Sequence, residues 1–173
     1  MSLLKPRGSL LRISDVENAD VRFLFRYWRA NCVGDLMPRE RFDPIPLGRL
    51  LPNIVFLKVN AATGDLIIRV AGEEIESRYG RSLRDTSVFA TFPLVRRGDT
   101  SQQWTEMLQR PVPKYRIGPM AFPNGRVFKA ERIMLPMSDG GADLAYVLGA
   151  VFYSSLRETE YRAEAVAADL EDL

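Results

Sequence analysis

Leu144-Ala-Tyr-Val-Leu-Gly-Ala-Val-Phe-Tyr153 decides the fold. The run is apolar at odd and even positions alike. In a strand successive side chains point to opposite faces, so such a run is covered on both sides and belongs in the middle of a sheet. At ten residues it is too short to cross a bilayer as a helix, which takes about twenty.

Four further strands lie upstream. Val127–Met137 and Lys114–Phe122 are joined through Pro123-Asn124-Gly125-Arg126. Asn-Gly between two strand runs predicts a tight hairpin whose two central residues take positive φ. Ile54–Asn60 and Leu66–Ala71 flank Ala61-Ala-Thr-Gly-Asp65, a second hairpin loop. Between the two pairs the strand pattern stops. Gly72–Gly80 reads as a short helix with Ile75 and Tyr79 on one face, and Thr100–Gln109 as a helix with Trp104 inward. Setting the last strand centrally, beside the first, gives an antiparallel sheet in the order 2-1-5-4-3. The internal helices cover one face, and an N-terminal helix is left for the other.

That N-terminal helix is predicted from the capping-box pattern Ser14-Asp-Val-Glu17 to a stop at Gly34. Asp15, Asn18, Arg22, Arg26 and Arg29 form one polar stripe, and the rest of the circumference is apolar. A stripe that wide serves two partners: its own sheet and, through Phe23, Leu24, Tyr27 and Trp28, a second copy of the chain. Packing within the chain alone is the alternative. The division is thus an arm and helix over 1–34, an α+β domain over 35–155, and a tail over 156–173 read as helical. Residues 37–53, rich in Pro, read as an extended connector with one helical turn. The tail sets two arginines against six carboxylates, a net −4, and leaves +6 on the rest.

Composition narrows the chemistry. The 173 residues contain no His and one Cys. This removes Ser-His-Asp and Cys-His nucleophiles, His-ligated haem, Cys/His zinc and any internal disulfide. No metal set and no catalytic constellation is expected. A net charge of +2 does not suggest nucleic acid. The first eight residues carry no long apolar core, so neither signal peptide nor membrane insertion is expected, and the chain reads as cytoplasmic.

Several stretches resemble one family. Arg26-Tyr-Trp-Arg29, Leu36-Met-Pro-Arg39, Leu50-Leu-Pro52, Ile68-Arg-Val-Ala-Gly72, Tyr79-Gly-Arg-Ser-Leu83 and Glu131-Arg-Ile-Met-Leu-Pro-Met-Ser138 are similar, in order and spacing, to the stand-alone PAS domains of alphaproteobacteria. The resemblance implies a PAS-like five-stranded sheet, a sensory or regulatory role, a possible small ligand and dimerisation. Flavin-photoactive relatives need a pocket cysteine, and haem-binding ones usually supply a histidine. Cys32 lies on the N-terminal helix and there is no His, so neither a covalent cofactor nor haem is expected.

The candidate ligand-binding residues are Arg69, Tyr79, Phe92, Trp104, Tyr115, Phe128, Arg132 and Tyr146. Aromatics with a few polar tips suit a small-molecule pocket, and a mid-strand Arg can take a carboxylate or phosphate. The competing readings are plain core packing for the aromatics and, for each Arg, an ion pair with Glu73, Glu74 or Glu131. The function expected is a non-enzymatic sensor that binds a small organic ligand and acts through a homodimer or a signalling partner. A ligand-free interaction module is the alternative, and an enzyme on a similar fold the third.

Overall fold

The computed structural model describes residues 10–91, 97–157 and 165–172, with backbone alone at 97–100. Eight strands form one sheet: β1 (Leu10–Arg12), β2 (Met37–Pro38), β3 (Ile54–Asn60), β4 (Asp65–Ala71), β5 (Lys114–Ala121), β6 (Val127–Ser138), β7 (Tyr146–Ser154) and β8 (Val166–Glu171). The main order is β1-β8-β5-β6-β7-β3-β4, with β2 alongside β6. Its centre, β4-β3-β7-β6-β5, is the 2-1-5-4-3 order expected from the sequence. Three helices flank it: α1 (Ala19–Ala30), α2 (Glu73–Tyr79) and α3 (Arg97–Gln109).

The pleat of β7 divides the apolar residues between two cores. Leu148 and Ala150 face α1, in a cluster with Val21, Leu24, Phe25, Trp28 and Ile133. Val147 and Val151 face α2 and α3, with Ile75, Trp104, Met107 and Met134. Gly149 lies between them where β3 crosses closely. A Cβ there would stand 2.8 Å from the Val55 side chain and 3.3 Å from the Ile133 carbonyl oxygen.

Four expectations change. The N-cap of α1 is Asn18, not Ser14: its side-chain oxygen accepts from the backbone N–H groups of Asp20 and Val21 at 2.9 and 3.3 Å. Ser14 is instead held in a 3₁₀ turn between Ile13 and Val16, both buried in the core, which anchors the chain before the helix begins. The helix also ends at Ala30, short of Gly34. The connector holds two 3₁₀ segments, Arg39–Arg41 and Ile45–Asn53. Proline lacks the N–H that an α-helical ladder needs, and 44, 46 and 52 are all proline. The Asn-Gly hairpin has a three-residue loop, closed by Phe122 N–H to Arg126 O and Gly125 N–H to Phe122 O. Only Gly125 takes positive φ, at +80°, the pattern of a type I turn followed by a left-handed residue.

The fourth correction is at the termini. Residues 10–12 are a strand rather than a loose arm, and residues 166–171 are a strand rather than a helix. The sequence around the second of these strands is rich in Ala and Glu, which favours helix locally, but a buried charge overrides that preference. Lys114 is fully buried, and its ammonium lies 2.8 Å from Asp169 Oδ1 and 3.6 Å from Glu106. Arg110 pairs with the other oxygen of Asp169. Pairing β8 with β5 delivers that carboxylate to the buried ammonium, and β1 then adds to β8 in parallel. Removing one partner of a buried pair costs more than the pair contributes, because the remaining charge stays desolvated. Asp169→Asn is therefore expected to lower the unfolding free energy by about 3 kcal/mol. Lys114→Met should cost clearly less, since Arg110 still holds Asp169. Urea titration followed by tryptophan fluorescence checks this, and equal losses for both variants would count against the pairing argument.

Candidate functional site

The face of the sheet under α2 and α3 encloses a cavity of about 50 Å³. Its apolar wall comes from strand parity: Val55 on β3, Ile68 on β4, Ala130 on β6 and Val151 on β7. The roof is local chemistry. After α2, Gly80 turns the chain with φ +68°. The Glu76 carboxylate then accepts from the Ser82 hydroxyl at 2.9 Å and the Leu83 N–H at 2.7 Å. That clamp sets Leu83 inward beside Ile75 and Tyr79. The following 3₁₀ turn, Val88–Thr91, adds Val88 and Thr91.

The polar groups concentrate on one side. Arg132 projects from β6 with its guanidinium carbon 4.8 Å from the Trp104 ring centre. Trp104 stands on α3 one residue after Gln103. The Gln103 amide nitrogen donates to the Tyr115 carbonyl at 2.8 Å, which leaves its side-chain oxygen to accept from Arg132 at 3.1 Å. Three donor atoms of this wall are buried without a protein acceptor: Arg132 Nε, Trp104 Nε1 and the Tyr153 hydroxyl. Burial pulls the Arg132 pKa down to about 9, with neighbouring Arg116 adding to the effect. Arg132 is therefore still a cation at neutral pH. Burial pushes the Tyr153 hydroxyl up, Tyr79 reinforces it, and Arg78 and Arg132 oppose it. Tyr153 thus stays a neutral donor. Among the described lining residues none is Asp or Glu.

An aromatic group closes the end of the cavity. Phe122 meets Tyr79, Phe128 and Tyr153 edge to face at 5.1, 5.8 and 5.6 Å. Outside them Arg78 stacks 4.0 Å over Tyr153 and pairs with Glu74 at 2.8 Å.

The structure brings together Tyr79, Trp104 and Arg132 of the expected ligand-binding residues, with Phe128 one ring behind them. Phe92 lies outside the described residues. Arg69 is on the outer surface, 2.5 Å from Asp85. Tyr115 and Tyr146 are on the opposite face. Tyr115 donates to Glu131 at 2.8 Å, and Tyr146 stacks on Phe56 at 5.4 Å. Arg116, Gln103 and Tyr153 were missed. Of the four expected dimer residues, Leu24 and Trp28 are buried against the chain's own sheet, the latter donating its indole N–H to the Pro136 carbonyl at 2.8 Å. Tyr27 is tied to the Asp43 backbone, and Phe23 is 38% exposed. Among the described residues no group of three or more His, Cys, Asp or Glu gathers to hold a metal ion. No helix there is long and apolar enough to cross a membrane.

The family profile described as PAS domain matches residues 16–152. This chain belongs to the PAS domain family. The family is sensory, and its members often bind small ligands. No match was found among curated proteins. Solved structures with the fold include a PAS domain from Colwellia psychrerythraea, at 14% identity and TM-score 0.51, covering 66% of this chain and 100% of that one. The light state of the blue-light photoreceptor Aureochrome1 LOV is similar at 13% identity and TM-score 0.51, over 68% and 91% of the two chains. A light-oxygen-voltage domain described with a flavin analogue shares 17% identity at TM-score 0.51, over 69% and 87%. At these identities the likeness concerns the fold.

A flavin does not fit this PAS domain's cavity as described. At about 10–15 Å³ for each water-sized unit, 50 Å³ holds roughly three to five of them, and the three fused rings of a flavin are several times larger. The chain's one cysteine, Cys32, follows α1 and packs against the core on the other face of the sheet.

A buried cation facing apolar walls is a deficit in the folded state. Arg132→Met, of similar length, removes it at the cost of one hydrogen bond from Gln103. The variant is expected to unfold about 1–2 kcal/mol later than wild type when no ligand is added. A loss of 2 kcal/mol or more in urea titration would mean that Arg132 is a structural cation.

Proposed function

We propose that this PAS domain is a non-enzymatic sensory or regulatory module that holds a small organic ligand between its sheet and the α2–α3 layer. The supporting observation is the trio of buried, unpartnered donors, Arg132 Nε, Trp104 Nε1 and Tyr153 OH, on residues that line one apolar cavity. Buried donors are almost always satisfied, and each one left without an acceptor costs about 1–3 kcal/mol. A fold that keeps three at one place is built for an acceptor that arrives from outside.

The output route is proposed from a chain of hydrogen bonds that crosses the sheet. Arg132 donates to Gln103, and Gln103 to the Tyr115 carbonyl. The Tyr115 hydroxyl donates to Glu131 Oε1, and Glu131 Oε2 accepts from Asn18 at 2.9 Å. Asn18 caps α1. A ligand that re-aims Arg132 thereby biases the packing of α1, a population shift between two arrangements. Partner contacts then carry the signal. A homodimer through Phe23 is proposed: that side chain sits under Arg49 of the Ile45–Asn53 segment, which also exposes Ile45 and Leu51. The sequence motifs support placement in the stand-alone alphaproteobacterial branch, and a cytoplasmic setting is proposed beside it.

The interaction-module reading has its own support. Arg39, Lys58, Arg69 and Arg84 surround Phe56, Val70 and Tyr146 in a surface groove near the β3–β4 edge.

Native mass spectrometry of the purified protein, then denaturing extraction, is expected to show a co-purifying small molecule. Ala130→Leu, which fills the cavity, should lose it. Wild type without a bound species, and without a thermal shift across a metabolite library, would favour the interaction module. Given a ligand, Glu131→Gln is expected to uncouple α1: amide exchange over Ala19–Ala30 stops responding, while affinity changes less than about threefold, below one net hydrogen bond. An unchanged response would sink the proposed route.

A further inference from the structure

We propose that the ligand is a short-chain monocarboxylate, its carboxylate held by Arg132, Tyr153 and Trp104 and its apolar tail against Ile68, Ile75 and Val88. This rests on the ligand-binding reading above and names the chemistry of that site.

Charge comes first. Arg132 is 8% exposed and no described lining residue is acidic. A buried cation needs a counter-charge, because desolvation of one ion costs several kcal/mol after relaxation. Arg116 is a second cation in the same wall and lowers the Arg132 pKa further. An anion relieves both effects. A neutral ligand relieves neither.

The donor set comes next. A planar guanidinium, a phenol and an indole line the cavity with N–H and O–H donors that have no protein acceptor, and none can accept from a protonated ligand as well as they donate. Arg132 already gives one nitrogen to Gln103 and keeps Nε unpartnered. Gln103 therefore fixes the guanidinium plane. A carboxylate has about four lone-pair sites on two oxygens, enough for three donors. Inorganic phosphate asks for more donors than the three unpartnered ones of this wall, and it has no use for the aliphatic side chains that line it, Val55, Ile68, Ile75, Leu83 and Val88 among them.

Size comes last. One water needs about 10–15 Å³ of such a cavity, so 50 Å³ takes roughly three to five non-hydrogen atoms. Acetate and propionate have that size. Butyrate, di- and tricarboxylates and aromatic acids exceed it.

The test is a thermal-shift and isothermal-titration series with acetate, propionate and butyrate, each beside its primary amide, and with inorganic phosphate. Acetate or propionate is expected to raise Tm with dose and to bind about tenfold or more tighter than the matched amide, one charge-assisted bond's worth. Arg132→Met should abolish the response. Tyr153→Phe, which keeps its ring, and Trp104→Phe, which keeps an aromatic ring without the N–H, should each weaken binding about fivefold, one net hydrogen bond. Amides that bind as tightly as acids overturn the carboxylate while leaving the ligand reading intact. So does phosphate binding more tightly than any acid, or an Arg132→Met protein that folds and still responds to propionate. Failure of every probe, while native mass spectrometry still shows a co-purifying neutral molecule, overturns the carboxylate alone. Failure of every probe with no co-purifying molecule overturns both.

Discussion

The pleat of β6 governs the molecule. Ala130, Arg132 and Met134 point to the α2–α3 side, and Glu131, Ile133, Leu135 and Met137 to the α1 side. A slip of one residue would exchange the faces. Glu131 would enter the cavity, and Arg132 would lie under α1 among Leu24, Phe25 and Trp28. Three contacts hold the register from outside the ladder. The Trp28 indole takes the Pro136 carbonyl, Gln103 takes Arg132, and Glu131 is shared between Tyr115 and Asn18. Pro136 itself has no N–H, so its place in a central strand leaves only an acceptor to satisfy, and α1 supplies the donor. The helix that covers one face is therefore fixed by the strand that builds the cavity on the other.

The strand order was legible because it rests on one strong signal, a run apolar at both parities. The facing of individual side chains was not. Tyr115 was expected in the pocket as an aromatic, with no reading of the face it takes, and the loop length sets that face. A two-residue Asn-Gly loop pairs Phe122 with Val127, and along that register Tyr115 falls on the same face as Arg132. The actual loop holds three residues, so Ala121 pairs with Val127 and Arg116 with Arg132. Tyr115 then faces α1, opposite Ile133. Turn type, which depends on one backbone angle at Asn124, decided which of two neighbours entered the site. Tyr146 and Tyr153 were unreadable for a different reason. Both lie on β7, where apolar residues at every position leave parity without a signal, and only the pairing of Ala130 with Tyr153 and Met137 with Tyr146 separates them.

The termini fail for a third reason, competition between local and tertiary preference. Ala and Glu are good helix formers in isolation, and nothing near residue 169 reveals that Lys114, 55 positions away, is buried. A Lys in a strand next to Pro113 reads as an ordinary solvated end. Only the completed sheet makes it an ammonium that needs Asp169. The same logic separates Lys114 from Arg132. Both are basic residues buried in one sheet, and Lys114 meets two carboxylates while Arg132 meets an amide oxygen, an indole face and a second arginine.

This asymmetry says where the molecule can respond. A satisfied pair such as Lys114–Asp169 is indifferent to solutes, since any competitor must first separate the ions. Arg132 is held on one side only, so the proposed acceptor would bind the folded state and not the unfolded one, and stability would rise with its concentration by mass action. Sensing and stabilisation are then the same free energy. The signal this can send is bounded by the differential affinity of the ligand for two arrangements of the relay. Four hydrogen bonds lead from Arg132 to Asn18, each worth about 1 kcal/mol net, and only the part that differs between arrangements is transmitted. A coupling of about 1–3 kcal/mol is the natural ceiling, which corresponds to about 5- to 150-fold in population. That is enough to switch a protein contact, and it requires no covalent chemistry, metal or large chromophore in the core.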